Sequence, residues 1–223
     1  MIKAIFFDFD GTLSDRQANV YAIFRDYLSA HLDLPELEFE GILQDLMLFD
    51  CNGIIAMKER LIPFMKKYGE LFPADFAQEF AGWYNTHMHN YTVLRPETIE
   101  VLEHLRPQYS LGIISNGDSL EQHSKIAKVA VEKYFDLIIV SGDLGIHKPD
   151  PQIFQTAMNE LQLEPSECMM VGDVFANDVV GALKAGMLPV WICVNKERPC
   201  ACDVKRISDL RQLYTILDEV NKV

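Results

Sequence analysis

The sequence contains no apolar run approaching the ~20 residues that cross a bilayer. It also has no internal repeat, no low-complexity tract and no Gly/Ser-rich linker. A membrane-spanning helix, a solenoid and a beads-on-a-string arrangement are therefore not expected. No basic segment followed by an apolar stretch and a small-residue cleavage site precedes IKAIFFDFD, so secretion is not expected either. Cysteine is sparse. The five residues Cys51, Cys168, Cys193, Cys200 and Cys202 are an odd number at irregular spacings. That pattern argues against a disulfide framework and predicts reduced thiols in a cytoplasm. Cys200-Ala-Cys202 lacks the further spaced ligands that zinc requires. Positive charge is also short: 20 Lys+Arg against 33 Asp+Glu give a net charge of −13. A nucleic-acid polymer is thereby a poor partner, because that role needs a basic stripe. The same field repels anionic substrates at long range, so such a substrate needs local positive groups or a cation.

What is present is an ordinary globular mixture of 49% hydrophobic and 24% charged residues. With 223 residues the chain can form one domain, or one domain with a small insert. Short apolar runs occur at 2–7 (IKAIFF), 110–114 (SLGII), 137–140 (LIIV), 168–171 (CMMV) and 189–194 (PVWICV). Their length and Ile/Val/Phe content suit strands buried on both faces, as in a parallel sheet. Helical periods lie between them. Ile153, Phe154, Ala157, Met158 and Leu161 follow Pro151, a favourable first-turn residue, and Leu210, Leu213, Leu217 and Val220 form a last amphipathic stripe. Alternation from about 97 to 223 predicts a doubly wound α/β domain.

Residues 15–90 differ. Val20, Ile23, Phe24, Tyr27 and Leu28 form one helical stripe, Phe76, Phe80, Trp83 and Tyr84 another, and 53–67 also reads as helix. The expected organisation is an α/β core of 1–14 and 91–223 with an all-helical insert at 15–90. An insert after the first strand lies next to the carboxyl ends of the strands, where open α/β sheets bind ligands.

Four polar stations follow apolar runs. Asp8 and Asp10 are two apart in an extended chain, so both can point one way while Phe9 points into packing. A carboxylate inside a buried strand is costly, which puts this pair at the strand's end, facing a crevice. Gly11 permits close backbone approach there. Ser115-Asn116-Gly117, His147-Lys148-Pro149-Asp150-Pro151 and Val171-Gly172-Asp173 with Asn177-Asp178 are the other three. Each alone reads as a turn, a surface charge or a helix cap. Parallel strands, however, bring all four to one rim.

Three or four converging carboxylates repel one another, and a divalent cation relieves that repulsion. Oxygen ligands select Mg²⁺, which characteristically brings a substrate phosphate with it. Lys148, the hydroxyls and turn N–H groups suit phosphate oxygens. One carboxylate can then attack phosphorus and the other can act as acid and base.

With DFDGT (8–12), SNG (115–117), HKPDPQIF (147–154) and GDVFAND (172–178) in this order, the chain resembles the haloacid dehalogenase-type hydrolase superfamily over its whole length. The resemblance implies a Rossmann-like α/β core and makes 15–90 similar to the mobile helical C1-type cap of that superfamily. It implies that Asp8 is the nucleophile and Asp10 the general acid/base. Mg²⁺ would be held by Asp8, the backbone carbonyl of Asp10 and Asp173, with Asp178 supporting it through water or by holding its ligands. Thr12, Ser115 and Asn116 would touch the transferred phosphoryl group, and Lys148 would hold its charge and orient Asp8. The dehalogenases of this superfamily lack an aspartate at the Asp10 position. Its presence here implies hydrolysis of a small cytosolic phosphate ester such as a nucleotide or sugar phosphate. A β-phosphoglucomutase-like mutase, which shares both aspartates and a similar cap, is the alternative, as is a binding relative without chemistry. The phosphonate hydrolases use a cap lysine as a Schiff base; no such lysine can be placed here, although Lys58 lies in the insert.

Two features outside the motifs remain. His87-Met88-His89 has the wrong spacing for a helical metal pair, which needs i, i+4, and reads as structural. Phe49-Asp50-Cys51-Asn52-Gly53 interrupts the insert between helical periods. It is either a plain turn or, as in relatives of this family, a loop that sets substrate choice.

Overall fold

The computed structural model describes residues 1–195 and 198–222, Asn52 by its backbone only. It divides into two compact units, Met1–Ser14 with Leu94–Val223, and Asp15–Val93. No helix among the described residues is long and apolar enough to cross a membrane.

The first unit is built on six parallel strands: β1 (Ala4–Phe7), β2 (Ser110–Ser115), β3 (Leu137–Val140), β4 (Cys168–Gly172), β5 (Leu188–Ile192) and β6 (Lys205–Ile207), in the order β3-β2-β1-β4-β5-β6. This is the expected α/β, Rossmann-like sheet. Alternation along each central strand feeds two cores. Ile5 and Phe7 of β1, Leu111 and Ile113 of β2, and Met169 and Val171 of β4 pack on one face. Ala4, Phe6, Ile114, Cys168 and Met170 pack on the other. Burial on both faces is why these runs read as continuously apolar.

Helices α5 (Thr98–Leu105), α6 (Ser119–Lys128), α7 (Ser141–Leu144), α8 (Pro151–Glu160), α9 (Val180–Lys184) and α10 (Leu213–Asn221) belong to this unit. Ile153, Phe154, Ala157 and Met158 of α8 join the second core, and Leu213, Ile216 and Leu217 of α10 join the first. Asp118 and Asp150 cap α6 and α8 by accepting from Glu121 N (3.1 Å) and Gln152 N (2.9 Å). Strand β6 has no counterpart in the sequence reading. It is three residues long, Lys-Arg-Ile, at a sheet edge, where one strand face and one ladder side suffice.

The second unit is helical throughout, with α1 (Arg16–Ser29), α2 (Glu36–Phe49), α3 (Met57–Tyr68) and α4 (Phe76–His87). Its core gathers Val20, Ile23, Phe24, Leu28, Leu43, Leu61, Phe64 and Phe80, with Tyr27 stacked on Phe80 at 4.4 Å. Helix α3 begins at Met57 rather than at 53. Cys51–Gly53 forms a single 3-10 turn in which Gly53 has φ +72, and Ile54 and Ile55 after it are exposed. His87 stacks on Trp83 at 4.8 Å, with Nδ1 2.9 Å from the Trp83 carbonyl oxygen, so it is a packed aromatic. The Phe49–Gly53 stretch is anchored by Asp50, whose carboxylate meets Arg16 at 2.9 Å and 3.0 Å and is also bonded by Arg60. All three side chains are buried. The Asn52 side chain in the same loop lies outside the described residues.

Candidate active site

Strand β1 ends at Phe7, and the Asp8 amide makes one further bond, to the Val171 carbonyl at 2.9 Å. Asp8 is therefore delivered between β1 and β4, both in the middle of the sheet, and is buried. Beyond β4, Asp173 and Asp178 return to the same point. Carboxylate oxygens of Asp8, Asp173 and Asp178 all lie within 4.8 Å of one another.

Two glycines make that convergence possible. A Cβ on Gly172 would lie 2.2 Å from Asp178 Cγ, and one on Gly11 would lie 2.6 Å from Asp173 Oδ2. Gly11 also has φ +86, a left-handed conformation that glycine tolerates best. Asp178 lies in a single π-helical turn, Phe175–Val179, where its Oδ2 accepts from the Val174 amide at 2.8 Å. Asp173 is held from behind: the Trp191 indole N–H donates to its backbone carbonyl at 3.0 Å.

Lys148 enters from the loop before α8. Its Nζ donates to Asp8 Oδ1 at 2.7 Å and to the Ile114 carbonyl at 2.6 Å, and pairs with Asp178 Oδ1 at 2.8 Å. Asn116 locks the lysine by its backbone. Its Nδ2 donates to the Lys148 carbonyl at 2.9 Å, and its Oδ1 accepts from the Lys148 amide at 2.8 Å. Both polar atoms of the Asn116 side chain are thus bonded to the Lys148 backbone.

Burial pushes the Asp8 carboxyl well above the usual carboxylate range. Lys148 opposes that rise, while Asp178 and Asp173 add to it. Burial alone would lower the Lys148 ammonium, but Asp178 and Asp8 outweigh it and hold the lysine above its ordinary value. Three carboxylates and one ammonium sum to a formal −2. That deficit, an all-oxygen donor set and three carboxylates at one point fit a hard divalent cation.

Asp10 is half-buried, with its Oδ2 held by Gln122 Nε2 and Lys125 Nζ, each at 2.9 Å. Ser115 donates to Gln122 Oε1 at 3.3 Å. Thr12 Oγ1 is fully buried with no hydrogen-bond partner among the described residues, an orphan hydroxyl such as a ligand oxygen satisfies. Arg95 donates to the Gly11 carbonyl. Gln122, Lys125 and Trp191 were not singled out from sequence. Gln122 and Lys125 were findable in part. They are three apart on one helix face just after Ser115-Asn116-Gly117. Trp191 carried only the signature of a core residue.

A family model described as haloacid dehalogenase-like hydrolase matches residues 5–192. The chain belongs to that family. Within these hydrolases, the chain is 30% identical over 97% of its length to a glyceraldehyde 3-phosphate phosphatase from Methanothermobacter thermautotrophicus, all of which is covered. It is 37% identical to the human N-acylneuraminate-9-phosphatase, over 87% of this chain and 84% of that one. Its fold matches a magnesium-bound hydrolase of the same superfamily, YfnB from Bacillus subtilis, at a TM-score of 0.80 and 23% identity, covering 97% and 99% of the two chains.

Proposed function

We propose that this hydrolase is an Mg²⁺-dependent phosphomonoesterase for a small phosphorylated metabolite, working through an aspartyl-phosphate on Asp8. The observation that carries the reading is the division of labour between Asp8 and Asp10. Asp8 sits in the buried carboxylate group with Lys148 on its Oδ1, whereas Asp10 takes Gln122 and Lys125 as partners on its Oδ2. Two carboxylates in distinct surroundings are suited to distinct roles. The phosphatase names of the relatives agree with it.

Asp8 Oδ2 attacks phosphorus, since Lys148 occupies Oδ1. The bond from phosphorus to the ester oxygen breaks, its electron pair goes to that oxygen, and Asp10 supplies the proton. Asp10, now a carboxylate, takes a proton from water as the water oxygen attacks phosphorus. The bond to Asp8 breaks, returning the Asp8 carboxylate and releasing orthophosphate. Asp8, Asp173 and Asp178 would hold the cation, with the Asp10 carbonyl available as a further oxygen. When bound, Mg²⁺ supplies positive charge to the phosphoryl oxygens. Lys148 adds its own charge and orients Asp8, while Thr12 offers its hydroxyl to the phosphoryl group; the Ser115 hydroxyl is already given to Gln122 Oε1.

Phosphate release from nucleotides, sugar phosphates and an aryl phosphate, with Mg²⁺ and with EDTA, tests this. Release that needs Mg²⁺ and is lost in Asp8→Asn is the expected outcome. Isomerised sugar phosphate with little free phosphate would identify a mutase. No turnover by folded protein would overturn the enzyme.

A further inference from the structure

We infer that Gln122 and Lys125 of α6 are positioning residues that clamp the Asp10 carboxylate and align it with the phosphoryl-binding end of β2. This inference rests on the phosphatase reading above and deepens it, because it assigns the acid/base step two residues outside the four motifs.

The geometry is specific. Both donors converge on one oxygen, Oδ2, at 2.9 Å each, while Oδ1 lies 3.5 Å from the Ser14 hydroxyl. A carboxylate held at one oxygen by an ammonium and an amide has lost its freedom to rotate about χ2, which is otherwise broad for aspartate. Lys125 is itself fixed. Its side chain is nearly fully buried, and its Nζ also meets Glu121 Oε1 at 2.7 Å across one helical turn. Gln122 is buried and spans two stations, donating to Asp10 and accepting from Ser115 Oγ at 3.3 Å. The chain Ser115–Gln122–Asp10–Lys125 therefore ties the orientation of the acid/base to the strand end where the phosphoryl group would bind.

An independent feature supports the clamp. A Cβ on Gly117 would lie 2.6 Å from Gln122 Nε2, so the glycine of Ser115-Asn116-Gly117 vacates the space through which Gln122 reaches Asp10. Helix α6 is started by Asp118 immediately after that glycine, which presents Gln122 and Lys125 on one face.

In ester cleavage the proton from Asp10 matters most when the leaving oxygen is strongly basic, as in an alkyl phosphate. It matters little for 4-nitrophenol. A loosened Asp10 should therefore impair the two esters unequally, which a structural defect would not do. The measurement is kcat/KM for an alkyl phosphate and for 4-nitrophenyl phosphate, in the parent and in Gln122→Met, Lys125→Met and Lys125→Arg. Methionine keeps the approximate length of each chain and removes its donors. Asp10→Asn runs as a reference, and circular dichroism confirms that each variant is folded.

The expected result is a loss of roughly 10²-fold on the alkyl ester in both methionine variants, with a much smaller loss on the aryl ester and little change in KM. Lys125→Arg should recover most of the alkyl activity. If one methionine variant does not fold, the other carries the test alone. Equal losses on both esters in folded variants, or no loss, would overturn the clamp and leave the phosphatase standing. No phosphate release by the parent from either ester would overturn both.

Discussion

Lys148 Nζ lies 2.7 Å from Asp8 Oδ1, joining residues 140 positions apart at the centre of the sheet. The same ammonium pairs with Asp178 at 2.8 Å, so one buried cation faces a group of three carboxylates. Lys148→Met removes that charge and leaves the carboxylates uncompensated. The expected cost is about 3–5 kcal/mol of stability. Urea unfolding in the presence of EDTA measures it, and an unchanged midpoint would mean that the pairing contributes nothing net. Phosphatase activity should fall with it, since the hydrogen bond to Asp8 Oδ1 is lost.

Gly172 and Asp178 are coupled by contact. Gly172→Ala puts a methyl 2.2 Å from where Asp178 Cγ lies, and the carboxylate must move away. A displacement of this size at a reacting centre costs on the order of 10²-fold in kcat. The clash includes Asp178 Cβ at 2.3 Å and disturbs the buried Asp178–Lys148 pair, so steady-state kinetics alongside a thermal melt should show lost activity together with a lowered melting temperature. Full activity would show that Asp178 can retreat without consequence.

In the helical unit, Asp50 balances two buried guanidinium groups, Arg16 and Arg60. Asp50→Ala leaves both without their shared carboxylate. The expected destabilisation is about 3–5 kcal/mol, read from chemical unfolding followed by circular dichroism. A loss below about 1 kcal/mol would assign the triad to the class of ion pairs that add little.

The cysteines should separate by burial. Cys51, Cys200 and Cys202 are exposed, whereas Cys168 and Cys193 are buried. A thiol reagent at neutral pH should titrate three groups quickly and the other two only after unfolding. Burial, followed by Glu167, pushes the Cys168 thiol from an ordinary 9.0 up to about 11. The folded chain therefore holds that proton more tightly than the unfolded chain does. This contribution to stability is present in full below pH 9.0 and is lost as pH rises through about 11. Cys168→Ala should flatten that part of the stability profile.

Much of this architecture was legible in advance. The five longer strands could be read because double burial makes each an unbroken apolar run, and the stripes of α1, α4 and α8 because helices repeat at 3.6 residues. Asp8 and Asp173 were legible for a related reason: an aspartate directly after a buried run has to be at a strand end. Strand β6 was not legible, because three residues at a sheet edge carry no periodic signal.

By itself the amino-acid sequence determined which residue types stand at the carboxyl ends of the strands, since local periodicity and the cost of burying charge are properties of short segments. Only the tertiary structure decided how those residues combine. It set Asp178 within 4.8 Å of Asp8 and Asp173, and placed the Asn116 side chain on the backbone of Lys148. It also brought Gln122 and Lys125 onto Asp10, across 112 and 115 positions of chain. Such contacts depend on sheet order and helix placement, which no local pattern encodes. Glycines 11, 117 and 172 show the same division. The sequence shows where a side chain is missing, and the packed structure shows what occupies the space.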